Sequence, residues 1–264
     1  MVDDFYSSPL VIKTYDLLTE QANQQICGDV ALYLDCAKRF GEPVLELGVG
    51  TGRIGWALAE AGYEVTGIDR SKSMLEAAKY KGEGQDDETR MRLNLLEADI
   101  TSFDIARIFS LALVPFSTFQ HLTLPQQQRA CLETIHRHLD TDGRLVIDVF
   151  DPVLDACVSG AETPNPDREV IEPESGHKFR RRSIHRVNEP FSQSFTETFL
   201  VELVDESERL IERVEAIHNL RWATRQEMIY LFELCGFKVD EEYSDFDNGA
   251  PAYGKRQIWI VKPV

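Results

Sequence analysis

The segment Val44-Leu45-Glu46-Leu47-Gly48-Val49-Gly50-Thr51-Gly52-Arg53 sets an acid and three alternating glycines between an apolar run and a helix-forming run. Glycines so spaced let the backbone turn tightly and leave no Cβ where a ligand must approach. The helix that follows presents free N–H groups to that ligand. Asp69 closes the next apolar run, where an acid can accept both hydroxyls of a ribose. Two ligand chemistries satisfy this much. Gly50-x-Gly52-x-x-Gly55 also fits the dinucleotide fingerprint, a weak signal alone.

Three features favour a sulfonium methyl donor over a nicotinamide. The Glu46 carboxylate can balance the donor's ammonium and sulfonium charges. In Asp99-Ile100 the acid can accept from an adenine amine while the isoleucine packs on the ring. The last two expected strands close as a pair, where a nicotinamide domain would usually continue with parallel units. The residues so read as donor-facing are Glu46, Gly48, Gly50, Gly52, Asp69, Asp99 and Ile100, with Arg53 and Phe116 beside them.

On the acceptor side, Pro115-Phe116-Ser117-Thr118-Phe119-Gln120-His121 follows the fourth strand. Phe116 and Phe119 can wall a pocket, and His121 can act as base or orient an acceptor; a capping or packing role is the alternative. Methyl transfer is an in-line displacement from an activated donor, so alignment matters most. A neutral amine needs no strong base, whereas a hydroxyl usually needs a proton acceptor. Asp245 and Asp247, beside Asn248-Gly249, either face a cationic acceptor or are solvated turn residues.

The elements that must position these residues alternate. Short apolar runs at 44–47, 64–68, 93–97, 108–114 and 145–150 read as buried strands, with amphipathic stretches between them, the pattern of a parallel sheet covered by helices. Helices are expected over 52–61, ending at Gly62, from a capping box at Ser73-x-x-Glu76, and from Pro125 to the Asp142-Gly143 turn. After Asp151-Pro152, residues 158–176 read as a loop. Lys178–Val187, Phe195–Val204 and Leu210–Leu220 then suggest three antiparallel strands. A capping box at Thr224-x-x-Glu227 opens a helix stopping at Gly236, and Phe237–Tyr243 and Gln257–Val261 form the closing pair. The expected organisation is an N-terminal helical segment over 1–42, a core over 43–156 and 221–264, and a β-rich lid over 157–220.

The chain has 264 residues, enough for one large α/β domain with an insertion. Nothing near its N-terminus reads as a signal peptide, and no stretch reaches the roughly 20 apolar residues needed to cross a bilayer. A cytoplasmic protein is expected. Its five cysteines (Cys27, Cys36, Cys131, Cys157, Cys235) form no C-x-x-C pair, against both zinc and a disulfide framework. A net charge of −17 makes nucleic acid and anionic membranes poor partners. One basic patch runs against this trend, at Lys178, Arg180, Arg181, Arg182 and Arg186. Either it meets an acceptor bearing phosphate or carboxylate, or it pairs with local acids such as Glu197, Glu202 and Glu212.

Residues 43–152 and 220–264 resemble the class I S-adenosylmethionine-dependent methyltransferases in the Glu46–Gly52 turn, Asp69-Arg70-Ser71-x-x-Met74, Asp99-Ile100 and Val114–Leu122. The resemblance implies a seven-stranded Rossmann-like sheet in the order 3-2-1-4-5-7-6 with strand seven antiparallel. It implies that Glu46 and the glycines line the methionine end, Asp69 holds the ribose, Arg70 and Met74 flank the adenine, and Asp99 and Ile100 hold its edge. In similar enzymes an N-terminal segment folds over the cofactor; here it carries Tyr6 and Tyr15, which either point at the sulfonium or pack the core. Two positions depart from the family pattern. Ser110 stands where an acid is frequent, and Tyr243-Ser244-Asp245-Phe246 replaces Tyr-Gly-Asp-Tyr. The implied activity is methyl transfer to a nitrogen or oxygen of a small molecule, with no metal, and a homodimer through the exposed strands of the insertion is possible. A non-catalytic cofactor-binding or assembly protein and a nicotinamide oxidoreductase are the alternatives.

Overall fold

The computed structural model describes residues 3–4, 6–22, 28–158 and 167–264. Cys27 and the stretch 159–166 of the expected loop lie outside the described residues. In chain order the elements are β1 (Asp3–Asp4), α1 (Pro9–Ala22), α2 (Asp29–Phe40), β2 (Val44–Leu47), α3 (Arg53–Glu60), β3 (Val65–Asp69), α4 (Lys72–Gly82) and α5 (Asp87–Arg92). Next come β4 (Leu93–Glu97), β5 (Phe109–Val114), α6 (Pro125–His138), β6 (Leu139–Phe150), β7 (Arg168–Ile171) and β8 (Lys178–Glu189). The chain ends with β9 (Ser194–Val204), β10 (Leu210–Arg221), α7 (Arg225–Leu234), β11 (Phe237–Tyr243) and β12 (Arg256–Pro263).

The chain divides into two compact units, Gly28–Val153 with Arg221–Val264, and Met1–Cys27 with Leu154–Leu220. In the first, seven strands run in the order β11-β12-β6-β5-β2-β3-β4. Numbered within this sheet, the order is 3-2-1-4-5-7-6, and the last strand, β12, is antiparallel to β6. The class I methyltransferase fold expected from the resemblance is therefore present. Its parallel strands are apolar nearly throughout because both faces are covered. Leu111 and Leu113 of β5 pack with Leu32 and Tyr33 of α2 and Ile54 of α3. Ala112 and Val114 pack with Ile135 of α6 and Phe232 of α7.

Two local expectations are corrected. The helix after β3 is capped by Ser71, whose hydroxyl accepts from Met74 N at 3.2 Å, not by Ser73. Asp69 takes the Ser71 N–H and commits that residue to the cap. The strand after α6 begins at Leu139 rather than Leu145. Its pairing jumps from Phe109↔Leu139 to Leu111↔Arg144, so residues 140–143, with the expected turn, bulge from the ladder opposite Ser110. The Thr224 cap holds, accepting from Glu227 N at 3.4 Å.

The second unit is built on a sheet in the order β1-β10-β9-β8-β7. The three expected strands are joined by two short ones, β7 at one edge and β1, parallel to β10, at the other. Helix α1 belongs to this unit, its Leu10, Val11 and Leu18 packing on Phe179, Phe199, Val201 and Ala216. Among the described residues, no helix is long and apolar enough to cross a membrane.

The basic patch is split by strand alternation. Lys178 and Arg180 pair with Glu169 and Glu208. Arg182 and Arg213 share Glu202. Glu202 was an expected partner. Glu197 instead accepts from Ser183 Oγ at 2.6 Å.

Candidate active site

The turn after β2 is built by three glycines with left-handed backbones, Gly48 at φ 73°, Gly50 at φ 55° and Gly52 at φ 83°. Their roles separate. A Cβ on Gly48 would collide with Thr118, and one on Gly52 would come within 2.7 Å of Trp56. Those two are therefore also required by the protein's own packing. A Cβ on Gly50 would meet nothing nearer than the Gly48 carbonyl at 4.0 Å, so the open space of the turn lies above Gly50. Its N–H donates to Asp69 Oδ2 at 2.9 Å, fixing the turn to the end of β3.

Asp69 also accepts from Ser71 N at 2.8 Å through Oδ1. Each carboxylate oxygen keeps a further lone pair, the capacity that two ribose hydroxyls need. Burial raises the Asp69 carboxyl above its ordinary value against these two N–H groups. Met74 is buried beside it on α4, while Arg70 is exposed. Asp99 accepts from Thr101 N at 2.8 Å and from Thr101 Oγ1 at 2.7 Å, which lowers its carboxyl below the usual range. Both bonds fall on Oδ1. Ile100 packs against the apolar layer shared by β2, β5 and α6.

Glu46 is the unusual acid. It is 2% exposed within a strand of apolar neighbours, and its Oε2 has no hydrogen-bond partner. Burial pushes the carboxyl up to about 8, against the pull of Arg53. A buried acceptor with nothing to accept costs free energy unless a ligand supplies the donor. Arg53 itself pairs with Asp29 at the start of α2, with 3.0 Å between Nη1 and Oδ1, and its guanidinium lies 5.4 Å from the centre of the Phe116 ring.

At the carboxyl ends of β5 and β6 and the amino end of β12 lies a cluster that sequence reasoning missed. Asp148 is fully buried and accepts from the Tyr33 hydroxyl at 2.5 Å and from Phe116 N at 2.6 Å. It also pairs with Arg256, whose guanidinium donates to Ser117 Oγ at 3.2 Å. Phe116 and Ser117 both take left-handed backbones, at φ 54° and 62°, and the Asp148 and Arg256 contacts hold them there. The hint was present in Ile147-Asp148-Val149, an acid inside an apolar strand. Its partners lie 108 and 115 residues away, beyond the reach of spacing rules.

His121 closes the short turn over Thr118–His121 at intermediate burial. The fixed residue of that turn is Gln120, which accepts from Phe150 N at 2.9 Å. Phe119 is in the core, 1% exposed, and is no pocket wall. Tyr6 and Tyr15 belong to the second unit and pack against its apolar layer. Asp245 accepts from Asp247 N at 3.1 Å and Gly249 N at 2.7 Å, as a turn residue does. No group of His, Cys, Asp and Glu suited to a metal exists among the described residues.

The methyltransferase domain family model matches residues 44–143, from β2 to the β6 bulge. A protein of Geobacillus sp. (strain WCH70) named as a methyltransferase is 28% identical over 220 residues, 83% of each chain. The cypemycin N-terminal methyltransferase of Streptomyces sp. is 30% identical over 152 residues, 58% of this chain and 59% of its own. Among solved structures, the sugar N-methyltransferase from Streptoalloteichus sp. ATCC 53650 shares the fold at 18% identity, with a TM-score of 0.70 over 94% of this chain and 92% of that one. The glycine turn, the acid after β3, the sheet order and these matches agree: residues 44–143 match the methyltransferase domain family, and the fold is that of the class I S-adenosylmethionine-dependent methyltransferases.

Proposed function

We propose that this chain transfers the methyl group of S-adenosylmethionine to a nitrogen or oxygen of a small-molecule acceptor by in-line displacement. The observation that carries the reading is Glu46, buried and with Oε2 without a hydrogen-bond partner, near the end of β2 just before the glycine turn. An acid so placed suits a ligand that brings positive charge. Glu46, with Gly48, Gly50 and Gly52, takes the methionine end, Asp69 the ribose, Met74 and Arg70 the adenine faces, and Asp99 with Ile100 its edge. Arg53 acts through its bonds to Asp29 and its stacking on Phe116, which shapes the methyl-facing wall.

The bound donor supplies a methyl group already activated by sulfonium charge. What remains for the chain is alignment and exclusion of water. Nitrogen is the favoured acceptor atom. The best-placed acid at the strand ends, Asp148, is already committed to Tyr33, Arg256 and the Phe116 N–H, and an amine needs no base. The sugar and peptide N-methyltransferases among the similar proteins agree with this choice. His121 is then a residue that orients the acceptor, and Tyr6 and Tyr15 stay with the apolar layer of their own unit. A net charge of −17 disfavours nucleic acid in that role. Strand β7, at a sheet edge, offers pairing to a second copy, which sedimentation across a concentration series checks.

Calorimetric titration with S-adenosylmethionine and with its demethylated product tests the reading. Saturable binding is expected, weakened by about 100-fold in Asp69→Ala, the effect of losing roughly two charge-assisted hydrogen bonds. No heat with either ligand overturns the proposal. Label transferred from methyl-labelled donor to a metabolite extract separates an enzyme from a protein that only binds.

A further inference from the structure

Within the second unit, the basic run of β8 is divided between the two faces of its sheet. Lys178, Arg180 and Arg182 lie on one face and are all ion-paired with Glu169, Glu202 or Glu208. Arg181 points to the other face, the one α1 covers in part. It makes no ion pair or hydrogen bond among the described residues. Arg168, directly opposite it on β7, stands beside it on the same face and is equally unpaired. Two like charges in a cross-strand pair destabilise each other.

The surroundings of this pair are selective. The Arg181 guanidinium lies 4.8 Å from the centre of the Phe199 ring. Burial lowers Arg181 from its ordinary value and the neighbouring Arg168 charge adds to this; Glu197, Tyr6 and Tyr15 pull the other way. Glu197, on this face, is 2% exposed and accepts from Ser183 Oγ. The His218 ring stands edge-on to Tyr6, 6.2 Å between centres, and 6.1 Å from Phe199. A half-buried guanidinium without a counterion is a costly arrangement that a bound anion relieves.

We propose that Arg168 and Arg181 form an anion-recognition site on the α1-covered face of the five-stranded sheet, taking a small molecule that bears a phosphate or carboxylate group. The guanidinium fork matches either group through two parallel N–H bonds, and paired forks match a group with several oxygens best. Tyr6, Tyr15 and His218 border the site as further polar contacts.

The test uses the full chain at constant ionic strength, titrated with pyrophosphate, inorganic phosphate and succinate by calorimetry. Saturable binding of at least one probe is expected, weakened about tenfold or more in Arg181→Gln and in Arg168→Gln, with partial recovery in Arg181→Lys. Arg182→Gln, on the opposite face, should bind as the wild type does. Tighter binding of the phosphates assigns a phosphorylated ligand, and tighter binding of succinate a carboxylated one. Donor titration of every variant runs in parallel, and unchanged donor affinity shows that each is folded. No saturable binding of any probe, or binding untouched by both glutamine variants, overturns the anion site. Loss of donor binding in the wild type would instead sink the methyltransferase reading and leave the anion result standing.

Discussion

Glu46 holds its proton in the folded chain where most glutamates have lost theirs. Burial raises it from 4.5 to about 8. A carboxyl raised in this way stabilises the fold below the unfolded value, and that contribution fades as pH climbs from about 4.5 towards 8. A cationic ligand reverses the balance, because only the ionised carboxylate pairs with it. Donor affinity should therefore rise with pH up to about 8, and binding near pH 7 should release close to one proton. Calorimetry in two buffers of different ionisation heat reads that proton directly. Equal heats in both buffers would show that Glu46 does not couple to the ligand. Glu46→Gln should flatten the pH dependence and weaken the donor at pH 8.5 by about tenfold, on the order of 1.4 kcal/mol. At this scale the proposed donor residues could be picked out, because Glu46, the glycines and Asp69 sit at fixed offsets along two consecutive strands. Asp148, Arg256 and Tyr33 were not, since the burial that makes them a cluster exists only after distant strands have paired.

Among the elements, the strands were legible wherever burial on both faces made them uniformly apolar, as in β2 and β5. Short polar elements escaped notice. The run Asp87–Arg92 carries no apolar stripe, yet forms α5 behind its Asp86 cap. The two edge strands of the smaller sheet are too short for an alternating pattern. Asp148 shows how elements are bound together here, since it joins α2, the loop after β5, and β12 to the end of β6. Asp148→Leu leaves the Arg256 guanidinium buried without compensation and should destabilise the fold by about 3–5 kcal/mol. Replacing both residues, Asp148→Leu with Arg256→Leu, should recover a large part of that loss, because an apolar pair of similar volume carries no uncompensated charge. Urea denaturation of the four members of this cycle measures the coupling. Simple additivity of the two single changes would show that the pair is not a unit.

For the molecule as a whole, the division into two units bears on which part binds the donor. All the residues proposed to face the donor, from Glu46 to Phe116, lie in the unit Gly28–Val153 with Arg221–Val264, and the intervening 154–220 leaves and re-enters that unit at nearby points. Gln257 on β12 shows how near, because its side-chain amide donates both to Asp151 Oδ1 at 2.5 Å and to the Ala223 carbonyl at 3.0 Å. A few glycine and serine residues can therefore join Val153 to Arg221 without strain on either strand, since a flexible linker of n residues spans about 5–6 Å times the square root of n. A chain of residues 28–153 and 221–264 joined in this way keeps the complete seven-stranded sheet and both of its apolar layers. It should unfold cooperatively on heating and bind S-adenosylmethionine within about tenfold of the full chain, a difference of roughly 1.4 kcal/mol. It should bind no pyrophosphate, because Arg168 and Arg181 are gone with the smaller unit. Circular dichroism and calorimetry on the shortened chain check all three outcomes. A folded product that binds no donor would overturn the assignment of donor binding to this unit alone.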